Sequence, residues 1–161
     1  MIQVTIDTIR ISLMGRERVI LLHEANSERQ LPIFIDIAEA DAILAELQGY
    51  RHPRPLTHDL LKNCIAELGG EVQYVFVNDL RNDIFFAVLH IIQNGQEIDI
   101  DARPSDSIAL AVRVKVPIFV DESVMERAGI YPAEEKDISP QELDVFRDFV
   151  NSLDLDGLGD Q

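Results

Sequence analysis

The chain has 161 residues, of which 47% are hydrophobic and 27% charged, and its formal net charge is −15. Such a composition is typical of a globular domain, the single cysteine excludes an intramolecular disulfide, and no apolar run reaches the roughly 18 residues of a membrane span. The acidity opposes general binding to phosphate backbones, so a nucleic-acid function would need a local basic site. The N-terminus does not resemble a signal peptide, which predicts a cytoplasmic protein.

The first 35 residues predict three β-strands. Apolar and polar residues alternate through 4–13, and two further strand-like segments follow at 18–24 and 30–35. Apolar residues at helical spacing then predict a helix that starts at residue 37 and ends at Gly49.

A proline-rich loop leads into a second predicted helix, with Thr57 as its N-cap. Five apolar residues at helical spacing predict a buried stripe. They are Leu60, Leu61, Cys64, Ile65 and Leu68. The thiol in this stripe is expected to be buried and inert. His58 and Lys62, four residues apart, are expected to share a face turned away from the core.

Three more strands between residues 71 and 102 predict an antiparallel meander. The Asn94-Gly95 pair in its last turn is a strong signal for a two-residue hairpin. The next predicted helix, over 106–115, starts at a Ser105 cap and is apolar around its whole circumference, which is typical of a helix covered on most sides.

Strands that cluster into sheets, with helices between the clusters, predict an α+β fold with a mixed or antiparallel sheet and several packed helices. No repeat or linker divides the chain. We therefore expect one domain over 1–133, and an acidic C-terminal helix and frayed tail over 134–161 that pack on it or extend it. The apolar face predicted for that helix suggests a homodimer or a higher homo-oligomer.

The segment "EIDID" is the first of three candidate sites. Strand alternation places Glu97, Asp99 and Asp101 on one face. Alternate carboxylates can converge on Mg²⁺, which prefers hard oxygen ligands. The alternative is a half-exposed strand with an acidic outer face.

The helix start after Arg103 is the second candidate. The first backbone N–H groups of a helix lack partners and favour an anion, and the arginine offers a planar fork for phosphate. In the alternative, Asp106 stabilises the helix start and pairs with Arg103.

A basic island within "RHPRPLTHDLLK" is the third candidate. Its basic residues are Arg51, His52, Arg54, His58 and Lys62, against the single acid Asp59. A histidine near its unperturbed pKa can exchange protons at neutral pH. The alternative is an exposed basic loop that offsets neighbouring acids.

The runs "LPIFIDIAEADAI", "RPLTHDLLKNCIAELGGEV", "FFAVLHI" and "DARPSDSIALAVRVKVPIFV", in this order, resemble the bifunctional nuclease domain family. The resemblance extends over about residues 4–130 and implies hydrolysis of both DNA and RNA without strong sequence preference. One departure is Asp36, where the family usually has a small residue.

The most distinctive of these runs coincide with the second and third candidates, which predicts one site shared by the two segments. The phosphate-binding residues would be Arg54, Arg103 and Ser105, the catalytic residues His58, Asp59 and Asp106, and the ligands of Mg²⁺ or Mn²⁺ Asp99, Asp101 and Asp106. His58 would activate water or protonate the leaving oxygen, with Asp59 orienting it. The alternatives are a non-catalytic interaction module and an enzyme acting on a small phosphorylated ligand.

Overall fold

A computed structural model describes residues 1–11 and 18–132 of the chain. The elements in this part of the chain are β1 (Ile2–Ile11), β2 (Arg18–Glu24), β3 (Gln30–Ile35), α1 (Ile37–Leu47), α2 (Thr57–Glu67), β4 (Gly70–Arg81), β5 (Ile84–Gln93), β6 (Gln96–Ala102), α3 (Pro104–Val114), β7 (Ile118–Val120) and α4 (Glu122–Ala128). The predicted C-terminal helix lies outside the described residues.

The described strands form one seven-stranded sheet in the order β3-β2-β1-β7-β4-β5-β6. β4 and β7 are parallel, and all other neighbours are antiparallel. The predicted α+β fold with a mixed sheet is confirmed, as is the meander of β4, β5 and β6. Asn94 and Gly95, between β5 and β6, both have positive φ, as the two-residue hairpin requires.

The core lies where the sheet meets the helices. α3 packs on β4 and β5, and α1 and α2 each pack against α3. α3 contributes Ile108 and Leu110, and the sheet contributes Ile20, Val75 and Val77. None of these five residues has exposed surface. None of the helices in the described ranges is long and apolar enough to cross a membrane.

α2 is rotated relative to the prediction, although Ile65 of the predicted stripe does pack against the core. Leu60, Cys64 and Leu68 of the predicted buried stripe are exposed, Leu68 at 73%, whereas His58 is buried. The predicted buried thiol and the predicted exposure of His58 are therefore wrong. Helical spacing identifies residues that share a face, but it does not say which face meets the rest of the domain. Here the contact with α3 is polar, and Lys62 Nζ takes part by donating to the Arg113 carbonyl at 3.2 Å.

The N-caps of α2 and α3 each lie before the predicted serine or threonine. Leu56 caps α2, and its N–H donates to Asp59 Oδ2 at 2.9 Å. Arg103 caps α3 with extended backbone because Pro104 occupies the first helical position, which places Ser105 inside the first turn.

Candidate active site

The first turns of α2 and α3 meet. His58 Nε2 lies 3.2 Å from Asp106 Oδ1, although the two residues are 48 positions apart in sequence. The histidine is buried, and the carboxylate is 33% exposed. The two segments that the sequence predicts to share a site are therefore neighbours in the structure.

Arg103 lies at the centre of this region and contacts three carboxyl groups. Its Nε donates to Asp106 Oδ2 at 2.8 Å and its Nη2 to Glu39 Oε1 at 2.6 Å. Asp36 Oδ2, immediately before α1, lies 3.6 Å from Nη1. The arginine side chain is still 58% exposed. The starts of α1 and α3 thus converge on one guanidinium that solvent can reach. We call Arg103, Asp106, His58 and Glu39 the arginine centre.

Hydrogen bonding sets the electrostatics of this centre. Hydrogen bonds to Asp106 and Glu39 raise the pKa of Arg103 above its ordinary value. Burial acts to raise the pKa of Asp106, but hydrogen bonds from Arg103 and His58 outweigh burial and hold that pKa below its ordinary value. Asp106 is therefore ionised at neutral pH.

Asp59 does not pair with His58 as predicted. Its Oδ1 accepts a hydrogen bond from Nε of the buried Arg113 at 2.8 Å. Arg113 also donates to the carbonyls of Ala109 at 2.7 Å and Ala42 at 3.1 Å. Burial acts to raise the pKa of Asp59, but hydrogen bonds from the Leu56 N–H and from Arg113 lower it overall. This geometry links α1, α2 and α3, and it is a structural arrangement.

The three predicted phosphate-binding residues do not all lie together. Arg103 and Ser105 line the same cleft at the start of α3. Arg54 is exposed in the loop before α2, and among the described residues it has no hydrogen bond or ion pair. No described contact joins Arg54 to the other two.

Asp99 and Asp101 lie on β6, where both are exposed. Asp99 Oδ1 is 2.7 Å from Nδ1 of His90, its cross-strand neighbour on β5. The histidine ring stacks on Tyr74, with centroids 4.4 Å apart. The sequence predicts no partner for His90, and cross-strand register supplies one.

The described residues contain no preformed three-ligand site for a divalent metal ion. Nowhere in them are three or more His, Cys, Asp or Glu side chains grouped to hold one. Both oxygens of Asp106 already accept hydrogen bonds from Arg103 or lie against His58. The predicted cluster of Asp99, Asp101 and Asp106 is therefore not formed.

Two clefts open near these residues. The first, of about 280 Å³, lies between the end of β3, the turn from β4 to β5 and the start of α3, and Arg103 is on its wall. The second, of about 220 Å³, is lined by Arg51 and His52 of the basic island together with Asp59 and Arg113. Neither His58 nor Asp106 lines either cleft, and Arg103 is the residue that connects the first cleft to them.

The sequence interpretation missed Glu39 and Arg113. Glu39 Oε2 is enclosed and has no hydrogen-bond partner, but in sequence it is one acidic residue in the first turn of a helix, which is common. Arg113 has a visible signal, because it is the one charged residue in the otherwise apolar stretch 108–114. A helix that is covered on most sides must pair such a charge.

Comparison with known proteins agrees with the resemblance in the sequence. The model of the bifunctional nuclease domain matches residues 19–133, which is more than half of the chain. An uncharacterized protein of Mycobacterium tuberculosis is 41% identical over 160 residues, which cover 96% of each chain.

Plant relatives match over part of their length. Bifunctional nuclease 1 of Oryza sativa subsp. indica is 30% identical over 146 residues, or 89% of this chain and 43% of the rice protein. Bifunctional nuclease 2 of Arabidopsis thaliana is 29% identical over 126 residues, or 76% of this chain and 38% of the plant protein. The chain thus spans less than half the length of these plant relatives. With a family model that covers residues 19–133, the chain belongs to the bifunctional nuclease domain family.

Proposed function

We propose that this protein is a nuclease that hydrolyses phosphodiester bonds in DNA and RNA with little sequence preference, and that the arginine centre performs the reaction. One observation carries this proposal: Arg103, Asp106 and His58 come from two separate segments and meet, and the Arg103 of this group also lines an open cleft. The names of the plant relatives, which are bifunctional nucleases, support a nuclease activity.

Phosphate binding is assigned to Arg103 and the start of α3. The guanidinium is a planar donor that matches two phosphate oxygens. The backbone N–H groups of the first helical turn lack helical partners and favour an anion. These contacts involve the backbone of nucleic acid and leave base edges unread, which explains little sequence preference. They also give a chain of net charge −15 a local site for a polyanion.

Proton transfer is assigned to Asp106 and His58. Asp106 is ionised and partly exposed, so it can orient a water molecule against the phosphorus and accept the proton that the water loses. His58 is buried against Asp106 and positions the carboxylate. As the new P–O bond forms, the bond to the leaving oxygen breaks and that oxygen takes up a proton from solvent, to which Asp106 then releases the proton it accepted. Arg103 balances the charge on the equatorial oxygens.

Mg²⁺ or Mn²⁺ as a cofactor stays a prediction. The described carboxylates give a divalent ion no three-ligand site, so the step assigned above does not pass through one. Bound to substrate phosphate, such an ion would supply additional neutralising charge.

The direct test is cleavage of labelled single- and double-stranded DNA and RNA by purified protein with Mg²⁺, with Mn²⁺ and with chelator. Asp106→Asn should reduce cleavage by at least about 100-fold, which is typical of removing a proton-transfer group. Asp41→Asn is the matched control, because Asp41 is exposed on α1 outside the arginine centre. Equal cleavage by the two variants would contradict the assignment and point to a contaminating nuclease.

A second candidate function, a self-associating interaction module, is favoured by the exposed apolar residues of α2. Leu60, Leu61 and Leu68 present a continuous apolar stripe that nothing in the described residues covers. This stripe adjoins the basic island, so two copies of an acidic chain could meet there without bringing their acids together. Under this alternative Leu60→Ser together with Leu68→Ser should convert a dimer to a monomer in analytical ultracentrifugation, and the wild type should show no cleavage.

A further inference from the structure

The first cleft joins parts of the sheet that are far apart in strand order. β3 is the first strand of the sheet and β5 the sixth, yet residues at the end of β3 and the start of β5 line the same cleft. The start of α3 completes the wall with Arg103 and Ser105. The cleft therefore lies beside the arginine centre and shares its guanidinium.

Two large apolar side chains in this cleft are exposed to solvent. Phe34 of β3 is 63% exposed and Ile84 of β5 is 60% exposed. Apolar groups gathered in an exposed concave site, beside a few polar groups, mark a binding surface more often than isolated exposed residues do. At about 280 Å³, the cleft is near the lower end of the volumes that small ligands occupy. It suits one flat ring system and is too small for a duplex.

The polar groups of the cleft divide it into two ends. Arg103 and the uncapped first turn of α3 favour an anion. Asp36 and Asp83 also line the cleft. Asp36 lies at the same end as Arg103, 3.6 Å from its Nη1. Asp83 lies in the turn from β4 to β5, and its carboxylate repels phosphate but accepts hydrogen bonds from amino or hydroxyl groups. A ligand would therefore place its phosphate toward α3 and its uncharged, donor-bearing part toward Phe34 and Asp83.

We propose that this cleft binds one unpaired nucleobase of the substrate, stacked on Phe34, with the adjoining phosphate at Arg103. The proposal rests on the proposed nuclease function and specifies its substrate as single-stranded or locally unpaired nucleic acid. Stacking on an aromatic ring tolerates every base because each base has a π-face. Stacking on Phe34 therefore agrees with a nuclease of little sequence preference. The same contact discriminates against paired bases.

The test measures the binding of three fluorescein-labelled oligonucleotides of equal length by anisotropy: a single strand, a duplex and a single strand with abasic sites. Phosphorothioate linkages limit cleavage, and each titration is done in EDTA and in Mg²⁺. Phe34→Ala should weaken binding of the ordinary single strand by about 5- to 150-fold, the range for loss of one base–aromatic stack. Binding of the duplex and of the abasic strand should change less than about twofold.

Two further variants make the result specific. Phe34→Trp keeps an aromatic face and should retain single-strand binding. Tyr131→Ala is the matched control, because Tyr131 is another exposed aromatic residue, at 70%, and does not line this cleft. Equal weakening of all three ligands by Phe34→Ala, no weakening of any, or no measurable binding of the single strand to wild type would overturn the proposal.

Cleavage assays separate this proposal from the proposed function. Selective loss of single-strand binding in Phe34→Ala, with no cleavage by wild type under any condition, would support the base-binding cleft and contradict the nuclease. Cleavage by wild type that is indifferent to Phe34→Ala, with unchanged binding, would support the nuclease and overturn the cleft.

Discussion

The two arginines at the ends of α3 have opposite environments. Arg103, at the N-terminal end, is 58% exposed, contacts three carboxyl groups and lines a cleft. Arg113, in the last turn, is buried and bonds one carboxylate and two backbone carbonyls. The same type of side chain is therefore open to solvent at one end of the helix and links three helices at the other.

The difference shows why pairing alone does not identify a functional arginine. Both guanidiniums bond to aspartates that have lowered pKa values. Only Arg103 has solvent-exposed donors that can exchange a carboxylate for a substrate phosphate. Since Arg113 has no such access, removing it should affect folding, whereas removing Arg103 should affect activity.

The largest expected effect is that of Arg113→Ala on stability. It would leave Asp59 partly buried without its cation and would remove a second donor from the carbonyls of Ala109 and Ala42, so the free energy of unfolding should fall by about 3–5 kcal/mol. Urea denaturation followed by circular dichroism measures this. Arg127→Ala, an exposed arginine on α4, is the control and should change stability by less than about 0.5 kcal/mol. A loss below about 1 kcal/mol in Arg113→Ala would contradict the structural role.

Arg103→Ala should have a small effect on stability and a large effect on cleavage, the reverse of Arg113→Ala. Because the side chain is largely solvated, its ion pairs contribute little to stability, and the free energy of unfolding should change by less than about 1 kcal/mol. Loss of the phosphate-binding fork should lower kcat/KM for cleavage by at least about 100-fold. Arg103→Lys keeps the charge without the fork and should recover only part of the activity. Unchanged cleavage in Arg103→Ala, with a large loss of stability, would remove the distinction between the two arginines.

The sequence predicts the local features of this molecule well and their mutual orientation poorly. Strand alternation and the Asn94-Gly95 turn predict the meander because both depend on residues close in sequence. The two distinctive segments also meet as predicted. By contrast, the exposed side of α2 and the choice of Asp106, rather than Asp59, as partner of His58 depend on how α2 is rotated against α3. That rotation is decided by the buried pairing of Arg113 with Asp59, a contact between residues 54 positions apart.

Lowering the pH should show how much the ionised carboxylates of Asp59 and Asp106 contribute to stability. The pKa of Asp59 and that of Asp106 are lower in the folded protein than their ordinary values. Both ionised carboxylates therefore contribute stability that is fully present above the unfolded pKa of about 3.9 and is lost as pH falls through the lower folded values. Urea titrations between about pH 6 and pH 2.5 should show a steep fall in the free energy of unfolding below about pH 4. Asp59→Asn and Asp106→Asn should each make this fall less steep. An equally steep loss in both variants would assign acid sensitivity to other groups.

The smallest expected effect is that of Lys62→Met, which probes the C-terminal end of α3 alone. Lys62 Nζ donates to the Arg113 carbonyl at 3.2 Å, so its charge lies at the negative end of the helix dipole, where a cation contributes about 0.3–1 kcal/mol. Methionine keeps most of the aliphatic side chain but loses the donor and the charge. The free energy of unfolding should fall by that amount, and the loss should shrink as salt is raised.

Cleavage should stay within about twofold of wild type, because Lys62 contacts the end of α3 opposite to Arg103. A fall in cleavage of much more than twofold would mean that the two ends of α3 do not act independently. It would also mean that the basic island, to which Lys62 belongs, is part of the substrate site.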